Sequence, residues 1–512
     1  MGAAILQNSS ASVGAAELSR RMAQLDGVSD AVLHAVVRGR VGRQCLDDLR
    51  RGSDGGAHSS SSPAWKTVSF LLATEDPQAV LSALGPRGLL RFLDLLWCFK
   101  DLLEPSAAAL RCCLSLLWAL QSLSKFPRSL HLPSDAVSAL RIAVFFRAGL
   151  DVILRLVAGL QVPANPPPNP PVSPELLLTE FQNYRTVATV MQFLGSIPKV
   201  DVAAWRTHHC EGWWRALSAG MQLLSTLVLH NHVLAHEFVQ HEGLQMLVER
   251  KLLSAELVAS EAGAHVVVDA LLIVSQLSRL SKEYYPMLHR INICLDLRDL
   301  LACGNANVRA KACNAIGNMA RHSDAFYEAI REAGILQQLT QLCADSDSAC
   351  RKFASFALGN SAFHSDVLYR DLAQAVPQLL RLLHDADEKT RANAAGAIGN
   401  LVRNSGELCG VMIREAALQS LSNLIESRRP LSDPSPLSRG GGGAEEWQRF
   451  AADSSVKIAL FSLGNLAVHA DCRAELKAEL RAIEMCHSLM TSCQPDDMIH
   501  KYSQRLLQKL SV

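Results

Sequence analysis

The chain has 512 residues, of which 49% are apolar and only 5% aromatic, a composition that suits a large core of helices packed on helices. Its 50 basic and 49 acidic residues leave a formal net charge of +1, so the charge balance argues against nucleic acid or an anionic membrane as the main partner. The fourteen cysteines form no CxxC pair and no disulfide rhythm, which favours a reducing compartment.

The N-terminal half is predicted to be helical and soluble. The opening residues, MGAAILQNSS, lack the basic start and the long apolar run of a secretory signal. The two most apolar windows, Ile142–Leu160 and Val266–Leu280, contain charged residues at helical spacing, so we predict that both are core helices rather than membrane spans. We therefore expect a cytoplasmic protein.

Three low-complexity stretches interrupt the helical pattern. Gly52–Pro63 (GSDGGAHSSSSP) is a predicted flexible loop, and Pro163–Pro174 (PANPPPNPPVSP) is a predicted stiff linker. The third stretch, residues 428–447, begins RRPLSDPSPLSRGGGG and is predicted to be disordered. Phosphate on its serines could meet Arg428 and Arg429, but plain disorder is the favoured interpretation.

The segment LHNHVLAHEFVQHEG is the best metal candidate in the sequence. It contains His230, His232, His236, Glu237 and His241. Three residues separate Glu237 from His241 where the HExxH pattern has two, so His236 and His241 point in different directions on a helix. His208, His209 and Cys210 form a weaker cluster. We predict no metal site, no cofactor and no catalytic residue.

The decisive feature is an internal repeat in the C-terminal half. Four segments align on one asparagine: NVRAKACNAIGNMARH, ACRKFASFALGNSAFH, KTRANAAGAIGNLVRN and SVKIALFSLGNLAVH. The aligned residues are Asn318, Asn360, Asn400 and Asn465, and they lie about 40 residues apart once an insert of about 25 residues is set aside. Small residues six and three positions before each Asn, with Ile or Leu two positions before it, predict a helix packed closely against its neighbours. Asn305, Asp347 and Asp387 are predicted N-caps, each with an arginine four residues later, and for the two aspartates this spacing suits a short-range charge pair.

This period and the A-I-G-N or A-L-G-N segments resemble the armadillo family. The sequence therefore predicts an all-α, armadillo/HEAT-type helical repeat superhelix (an α-solenoid) of right-handed sense. In that family the third helices line a concave groove, and their asparagines hold an extended partner. If the same positions serve here, the row of partner-binding asparagines, which we call the ladder, consists of Asn318, Asn360, Asn400 and Asn465. His322, His364, Phe356 and Phe461 are expected to contribute to the same groove. The alternative interpretation is that each Asn only binds an adjacent repeat.

Armadillo proteins that bind nuclear localisation signals carry Trp four residues before the Asn. Here that position holds Asn314, Phe356, Gly396 and Phe461, which argues against an importin-like function.

A more extensive resemblance covers roughly Leu295–Val512. The runs VRAKACNAIGNMARHSDAFY and CRKFASFALGNSAFHSDVLYRDL are similar to the C-terminal region of Fused-family serine/threonine kinases, above all the plant branch, the Two-in-one kinases of cytokinesis. The resemblance implies a repeat tail that binds phragmoplast kinesins. No GxGxxG, VAIK, HRD or DFG motif occurs, so we expect either the tail of a longer protein or a relative without a kinase domain.

The predicted organisation follows from these features. Helical repeat-like regions cover 1–162, with the loop 52–63, and 175–294, on either side of the linker 163–174. Armadillo repeats cover 295–427, the disordered insert covers 428–447, and a last armadillo repeat with a C-terminal cap covers 448–512.

The predicted function is that of a non-catalytic scaffold. Its expected partner is a protein in the groove, a kinesin or another cytoskeletal protein in cytokinesis, and neither nucleic acid, membrane nor small-molecule substrate. The expected location is cytoplasmic, at the cytoskeleton or phragmoplast. The alternatives are a protein serine/threonine kinase known through its full-length relatives, and a general armadillo adaptor in transport, degradation or Hedgehog/cilia-type signalling.

Overall fold

The computed structural model describes residues 178–179, 181–182, 185–197, 211–431 and 442–511. Region 1–162, the loop 52–63, the linker 163–174, the window Ile142–Leu160 and the His208–Cys210 cluster lie outside the described residues. The described residues contain helices and turns and no strand, as the sequence predicts. The chain divides into two compact units, Met1–Lys251 and Leu252–Val512.

The described part of the first unit contains four α-helices longer than two residues. They are α1 (Thr186–Ser196), α2 (Glu211–His230), α3 (His232–Gln240) and α4 (Gly243–Glu249). Val187, Val190 and Leu194 on α1 are fully buried. Arg250 fixes the end of α1, because its guanidinium donates to the carbonyl oxygens of Gly195, at 3.1 Å, and Ile197.

The second unit is a stack of three-helix repeats. It opens with α5 (Glu261–Leu280), a third helix that precedes the first complete repeat. The repeats are α6 (Tyr285–Arg290), α7 (Cys294–Leu301) and α8 (Ala306–Met319); α9 (Tyr327–Glu332), α10 (Ile335–Leu342) and α11 (Ser348–Ser361); α12 (Tyr369–Leu372), α13 (Val376–Leu382) and α14 (Glu388–Asn400); α15 (Cys409–Arg414), α16 (Ala417–Arg428) and α18 (Ser454–Leu466), with α17 (Gly442–Ala452) inserted; and α19 (Ala470–Ala478), α20 (Ala482–Ser492) and α21 (Met498–Leu510).

The third helices α5, α8, α11, α14, α18 and α21 pack side by side in that order. The predicted N-caps hold, since side-chain oxygens of Asn305, Asp347 and Asp387 accept from the backbone N–H three residues later at 3.2, 2.9 and 2.8 Å. The predicted stripe of small residues is fully buried at Ala312, Ala354 and their counterparts in the other repeats. The armadillo-type all-α solenoid is therefore confirmed in this unit.

Helix α5 contains the predicted core window Val266–Leu280. By length and composition it could cross a membrane, but 72% of its apolar window is buried inside the protein. It packs against α8 as the preceding third helix. This helix is therefore a core element of the repeat stack.

Two predicted boundaries differ from the structure. Residues 252–294, assigned from the sequence to the preceding region, belong to the same compact unit as the armadillo repeats. The predicted insert 428–447 is too long at both ends, because Arg428 completes α16 and α17 begins at Gly442. Trp447 and Phe450 on α17 are buried and stack edge to face at 5.5 Å, so apolar packing orders this part of the segment.

Candidate partner-binding face

The four ladder asparagines lie at equivalent positions near the ends of successive third helices. In three of them the side-chain amide donates to the backbone carbonyl of the glycine that precedes the ladder residue in the repeat before. These bonds are Asn360 Nδ2 to Gly317 O at 2.7 Å, Asn400 Nδ2 to Gly359 O at 2.9 Å, and Asn465 Nδ2 to Gly399 O at 3.2 Å. Each asparagine thus fastens one repeat to the next.

The ladder extends beyond the asparagines at both ends. Asn318 Nδ2 donates to Ser275 Oγ on α5 at 2.8 Å, and Asn318 is buried. Lys509 Nζ on α21 donates to the carbonyl of Gly464, which is the contact that an asparagine makes elsewhere. Ser275 and Lys509 cannot be found by aligning the repeats on asparagine, because neither residue is an asparagine.

The bracing bonds leave part of each amide unused. Asn360, Asn400 and Asn465 are half-buried, and no described residue donates to their Oδ1 atoms. An amide offers two N–H donors and a carbonyl acceptor, and the brace occupies one donor. Bracing of the adjacent repeat is therefore present, and a contact with a partner stays a prediction.

The histidines four residues after the asparagines also reach the preceding repeat. Their Nε2 atoms lie within hydrogen-bond distance of backbone carbonyls: His322 to Arg279 O at 2.9 Å, His364 to Arg321 O at 2.9 Å, and His469 to Val402 O at 2.7 Å. In the remaining repeat Asn404 Nδ2 donates to Phe363 O at 3.2 Å. These side chains brace the ends of the third helices.

Three tyrosines form a second set of braces that the sequence analysis did not single out. Each is the first residue of a first helix, and its hydroxyl donates to the backbone carbonyl of the ladder asparagine in its own repeat. The same hydroxyl accepts from the backbone N–H of the residue four positions after that asparagine. The donor distances are 3.1 Å for Tyr285 to Asn318, 2.6 Å for Tyr327 to Asn360, and 2.5 Å for Tyr369 to Asn400. Their regular spacing of 42 residues was visible in the sequence.

We expect Tyr327→Phe to lower the free energy of unfolding of the repeat unit by about 1–2 kcal/mol, because the His364 N–H loses its partner and the Asn360 carbonyl keeps only the bond from Phe363 N–H. Burial raises the pKa of Tyr327 to about 12. The contribution of this hydroxyl is present below the unfolded-state pKa near 10 and is lost as pH rises through about 12. Urea denaturation between about pH 8 and 11 measures both effects.

Tyr502→Phe is the matched control for this prediction, since the half-buried Tyr502 hydroxyl has no hydrogen-bond partner among the described residues. Equal losses of stability in the two variants would contradict the bracing role of Tyr327.

Arginines near the start of the third helices join neighbouring repeats. The predicted short-range charge pairs are wrong, because Arg351 pairs with Asp385 of the next repeat at 2.6 Å and not with Asp347. Arg309 donates two hydrogen bonds to the Asp345 carboxylate, at 2.9 and 3.1 Å. Burial is the largest single influence on the pKa values of Asp345 and Asp385, and it acts to raise them. The hydrogen bonds and charges of these arginines act in the opposite direction, and both pKa values are lowered.

The surface beside the ladder combines aromatic rings and cations. We call "third-helix face" the surface made by Asn318, Asn360, Asn400, Asn465 and Lys509, with the residues eight, seven and four positions before each. Phe356 and Phe461 lie four before, and both are half-buried. The Phe356 ring covers Gly317, where an added Cβ would lie 2.5 Å from the ring. Phe461 meets Tyr502 edge to face at 5.5 Å. The structure thus places the predicted aromatic residues beside the ladder.

The histidine-rich segment of the first unit forms hydrogen bonds within and next to α3. Asn231 caps α3 by accepting from Val233 N at 2.8 Å, His236 Nε2 lies 3.0 Å from Gln240 Nε2, and Glu237 accepts from Gln182 at 3.3 Å. Within the part of the chain that the structure describes, no group of three or more His, Cys, Asp or Glu side chains is placed to hold a metal ion.

Comparisons with known proteins agree with this geometry. Residues 372–403 match the armadillo/beta-catenin-like repeat family. The C-terminal region is 50% identical over 215 residues to serine/threonine-protein kinase TIO of Arabidopsis thaliana; the match covers 42% of this chain and only 16% of that kinase.

Two engineered proteins of known structure are also similar. One has a TM-score of 0.52 at 18% identity, with 86% of this chain and all of that chain covered. A designed armadillo repeat protein in complex with a (KR)4 peptide has a TM-score of 0.42 at 22% identity, with 50% of this chain and 97% of that chain covered. The C-terminal part of this chain is therefore an armadillo-repeat region similar to part of a plant serine/threonine-protein kinase.

Proposed function

We propose that the armadillo unit is a non-catalytic scaffold whose third-helix face holds an extended segment of a partner protein. The observation that carries the proposal is the state of the ladder amides. Each is held in place by one bond to the preceding repeat, and its Oδ1 atom accepts from no described residue. A regular row of such amides matches the alternating N–H and C=O groups of an extended backbone.

We further propose that the partner is a kinesin or another cytoskeletal protein in cytokinesis. The resemblance to the plant branch of the Fused-family kinases supports this partner, and on the same ground we propose a location in the cytoplasm, at the cytoskeleton or phragmoplast. A second candidate is that the unit serves a protein serine/threonine kinase as its scaffold region, which the name of the Arabidopsis relative supports.

Affinity purification of the tagged chain with mass spectrometry tests the class of partner. We expect a kinesin-type motor to be enriched over a mock purification, and to be depleted when the ladder is altered. Recovery of transport or degradation factors in its place would favour a general adaptor.

The ladder itself is tested by the double change Asn360→Ala with Asn400→Ala. If both amides bind the partner backbone, each lost bond contributes about 0.5–1.5 kcal/mol, so binding should weaken about 5- to 150-fold. The variant should also melt earlier, because the braces to Gly317 and Gly359 are removed. Fluorescence anisotropy with the captured partner, corrected for the folded fraction, separates the two effects.

Asn423→Ala on α16 is the control, since Asn423 is exposed and its one bond to a described residue is to Gln419 of its own helix. It should change neither affinity nor melting temperature. A double variant that melts earlier but binds as tightly as wild type would limit the ladder to internal bracing.

A further inference from the structure

Charge is distributed unevenly between the five third helices α8, α11, α14, α18 and α21 and the rest of the chain, whereas the preceding helix α5 carries Glu261 and Asp269 against Arg279. The whole chain is almost balanced, with 50 basic and 49 acidic residues. In contrast, α8, α11, α14, α18 and α21 each contain between one and three Lys or Arg residues, and Glu388 is the one acid among them. The helices that carry the ladder are therefore basic in a chain that is not.

The acids close to these helices are already engaged. Glu388 accepts from the backbone N–H of Ser454 at 2.8 Å and from its hydroxyl. Asp345, Asp385 and Asp453 lie next to Arg309, Arg351 and Arg391, at 2.9, 2.6 and 3.7 Å. These pairs lie at the starts of the third helices, and within each pair the two charges neutralise each other. Among the described residues, no acid forms an ion pair with the remaining cations of these five helices.

Five of the remaining cations lie eight, seven or four positions before a ladder residue, on the same side of their helices; the exposed Lys389 lies eleven before Asn400, and Lys509 is itself a ladder residue. Counted back from the ladder residue, Lys352, Lys457 and Lys501 occupy the eighth position, Lys311 the seventh, and Arg505 the fourth. All five are half-buried or exposed, and among the described residues none is in an ion pair. Because these three positions lie on one side of a helix, the five cations follow the ladder along the third-helix face on α8, α11, α18 and α21.

Several cations lie against aromatic rings. Lys352 Nζ lies 5.0 Å from the centre of the Phe353 ring, and Arg505 Cζ lies 5.4 Å from the centre of Phe461. Just past the end of α14, three residues after Asn400, Arg403 Cζ lies 4.1 Å from the centre of the Phe363 ring of the preceding repeat. A cation over a ring keeps outward-pointing donors available, and the ring beside it can bury apolar side chains. Such a surface suits a segment in which carboxylates alternate with apolar residues.

We propose that the third-helix face binds an acidic segment of its partner, with Glu or Asp side chains on Lys311, Lys352, Lys457 and Arg403 and apolar side chains on the neighbouring phenylalanines. This rests on the proposed scaffold function and specifies the chemistry of the partner. Charge complementarity favours a carboxylate-rich segment over a basic one, since a basic segment would bring like charges together along the whole face.

The test uses the full chain and three fluorescein-labelled peptides of about 16 residues that differ only in charge: repeats of Glu-Leu-Glu-Ser, Gln-Leu-Gln-Ser and Lys-Leu-Lys-Ser. We expect the glutamate peptide to bind at least about tenfold more tightly than the glutamine peptide at low salt, and to lose most of that advantage between about 50 and 300 mM salt. The lysine peptide should bind most weakly.

Charge variants locate the binding. Lys352→Glu with Arg403→Glu should weaken binding of the glutamate peptide about 10- to 100-fold, and the milder Lys352→Gln with Arg403→Gln about 2- to 30-fold. Arg381→Glu with Arg414→Glu makes the same change in net charge at exposed positions of α13 and α15. This control should change affinity no more than about twofold. Melting temperatures, measured for each variant, separate unfolding from lost binding.

Three results would overturn the inference: no binding of the glutamate peptide, equal or tighter binding of the glutamine or lysine peptide, or an equal loss in the Arg381 and Arg414 control. None of them removes the proposed scaffold function, which is decided by capture of the partner with the Asn360 and Asn400 variants. A ladder-dependent partner whose bound segment is neutral or basic would leave the scaffold function standing and reject the acidic segment.

Discussion

Replacing Arg391 with alanine should lower the free energy of unfolding of the repeat unit by about 2–4 kcal/mol. The Arg391 side chain is only 4% exposed. Its Nη1 atom donates to the carbonyls of Asp385 and Ala386 at 2.8 and 2.9 Å, Nε donates to Ser455 Oγ at 3.4 Å, and Nη2 lies 3.7 Å from Asp453. Alanine would remove all of these bonds, and the carbonyls of Asp385 and Ala386 would lose their side-chain donor. Urea denaturation followed by circular dichroism measures the loss.

Arg370→Ala is the matched control for this variant. Arg370 also pairs with an acid of the next repeat, Glu407, at 2.6 Å, but its side chain is 89% exposed. An exposed pair contributes about 0–1 kcal/mol, so this variant should unfold almost like wild type. Similar losses for Arg391→Ala and Arg370→Ala would mean that the buried guanidinium contributes no more than a surface ion pair.

The repeat could be predicted from the sequence because one position requires one kind of side chain. Asn360, Asn400 and Asn465 each need an amide of a given length to reach the preceding glycine carbonyl. Close helix packing also fixes small residues at regular distances before them, such as Ala354 and Ala394. The asparagine and the small residues before it therefore recur together about every 40 residues, and this period indicates the armadillo-type fold.

The ends of the ladder could not be found in this way. Ser275 is the partner of Asn318, and Lys509 reaches the Gly464 carbonyl with a longer, charged side chain. Different side chains satisfy the same geometric role at these positions, so an alignment on asparagine passes over them.

The contacts between repeats were harder to predict than the repeats. Arg351 was expected to pair with Asp347, four residues before it, but Asp347 caps the helix and the guanidinium reaches Asp385 in the next repeat. Helical spacing describes neighbours on one helix and carries no information on which loop of the next repeat lies within reach. The tyrosine braces were missed for a related reason, since a recurring Tyr327 also fits an ordinary core position.

Two glycines that look equivalent in the sequence should respond to alanine with opposite signs. A Cβ on Gly399 would lie 2.4 Å from Ser462 Oγ and 2.9 Å from the Ser462 Cα, so α14 and α18 would have to move apart. That movement would also stretch the bond from Asn465 to the Gly399 carbonyl. Even after the helix gains about 1 kcal/mol from losing a glycine, we expect Gly399→Ala to destabilise the unit by about 1–2 kcal/mol.

Gly464 precedes its ladder asparagine in the same way, but nothing lies within 4 Å of an added Cβ. Gly464→Ala should therefore stabilise the unit by about 0.5–1 kcal/mol, because only the helix propensity changes. Chemical denaturation of the two variants in parallel gives the sign directly. If both alanines stabilise the protein, α14 and α18 have room to adjust, and close approach is not the reason for glycine before the asparagine. If Gly399→Ala destabilises and Gly464→Ala stabilises, contact between third helices requires the glycine at Gly399, whereas Gly464 is free to change.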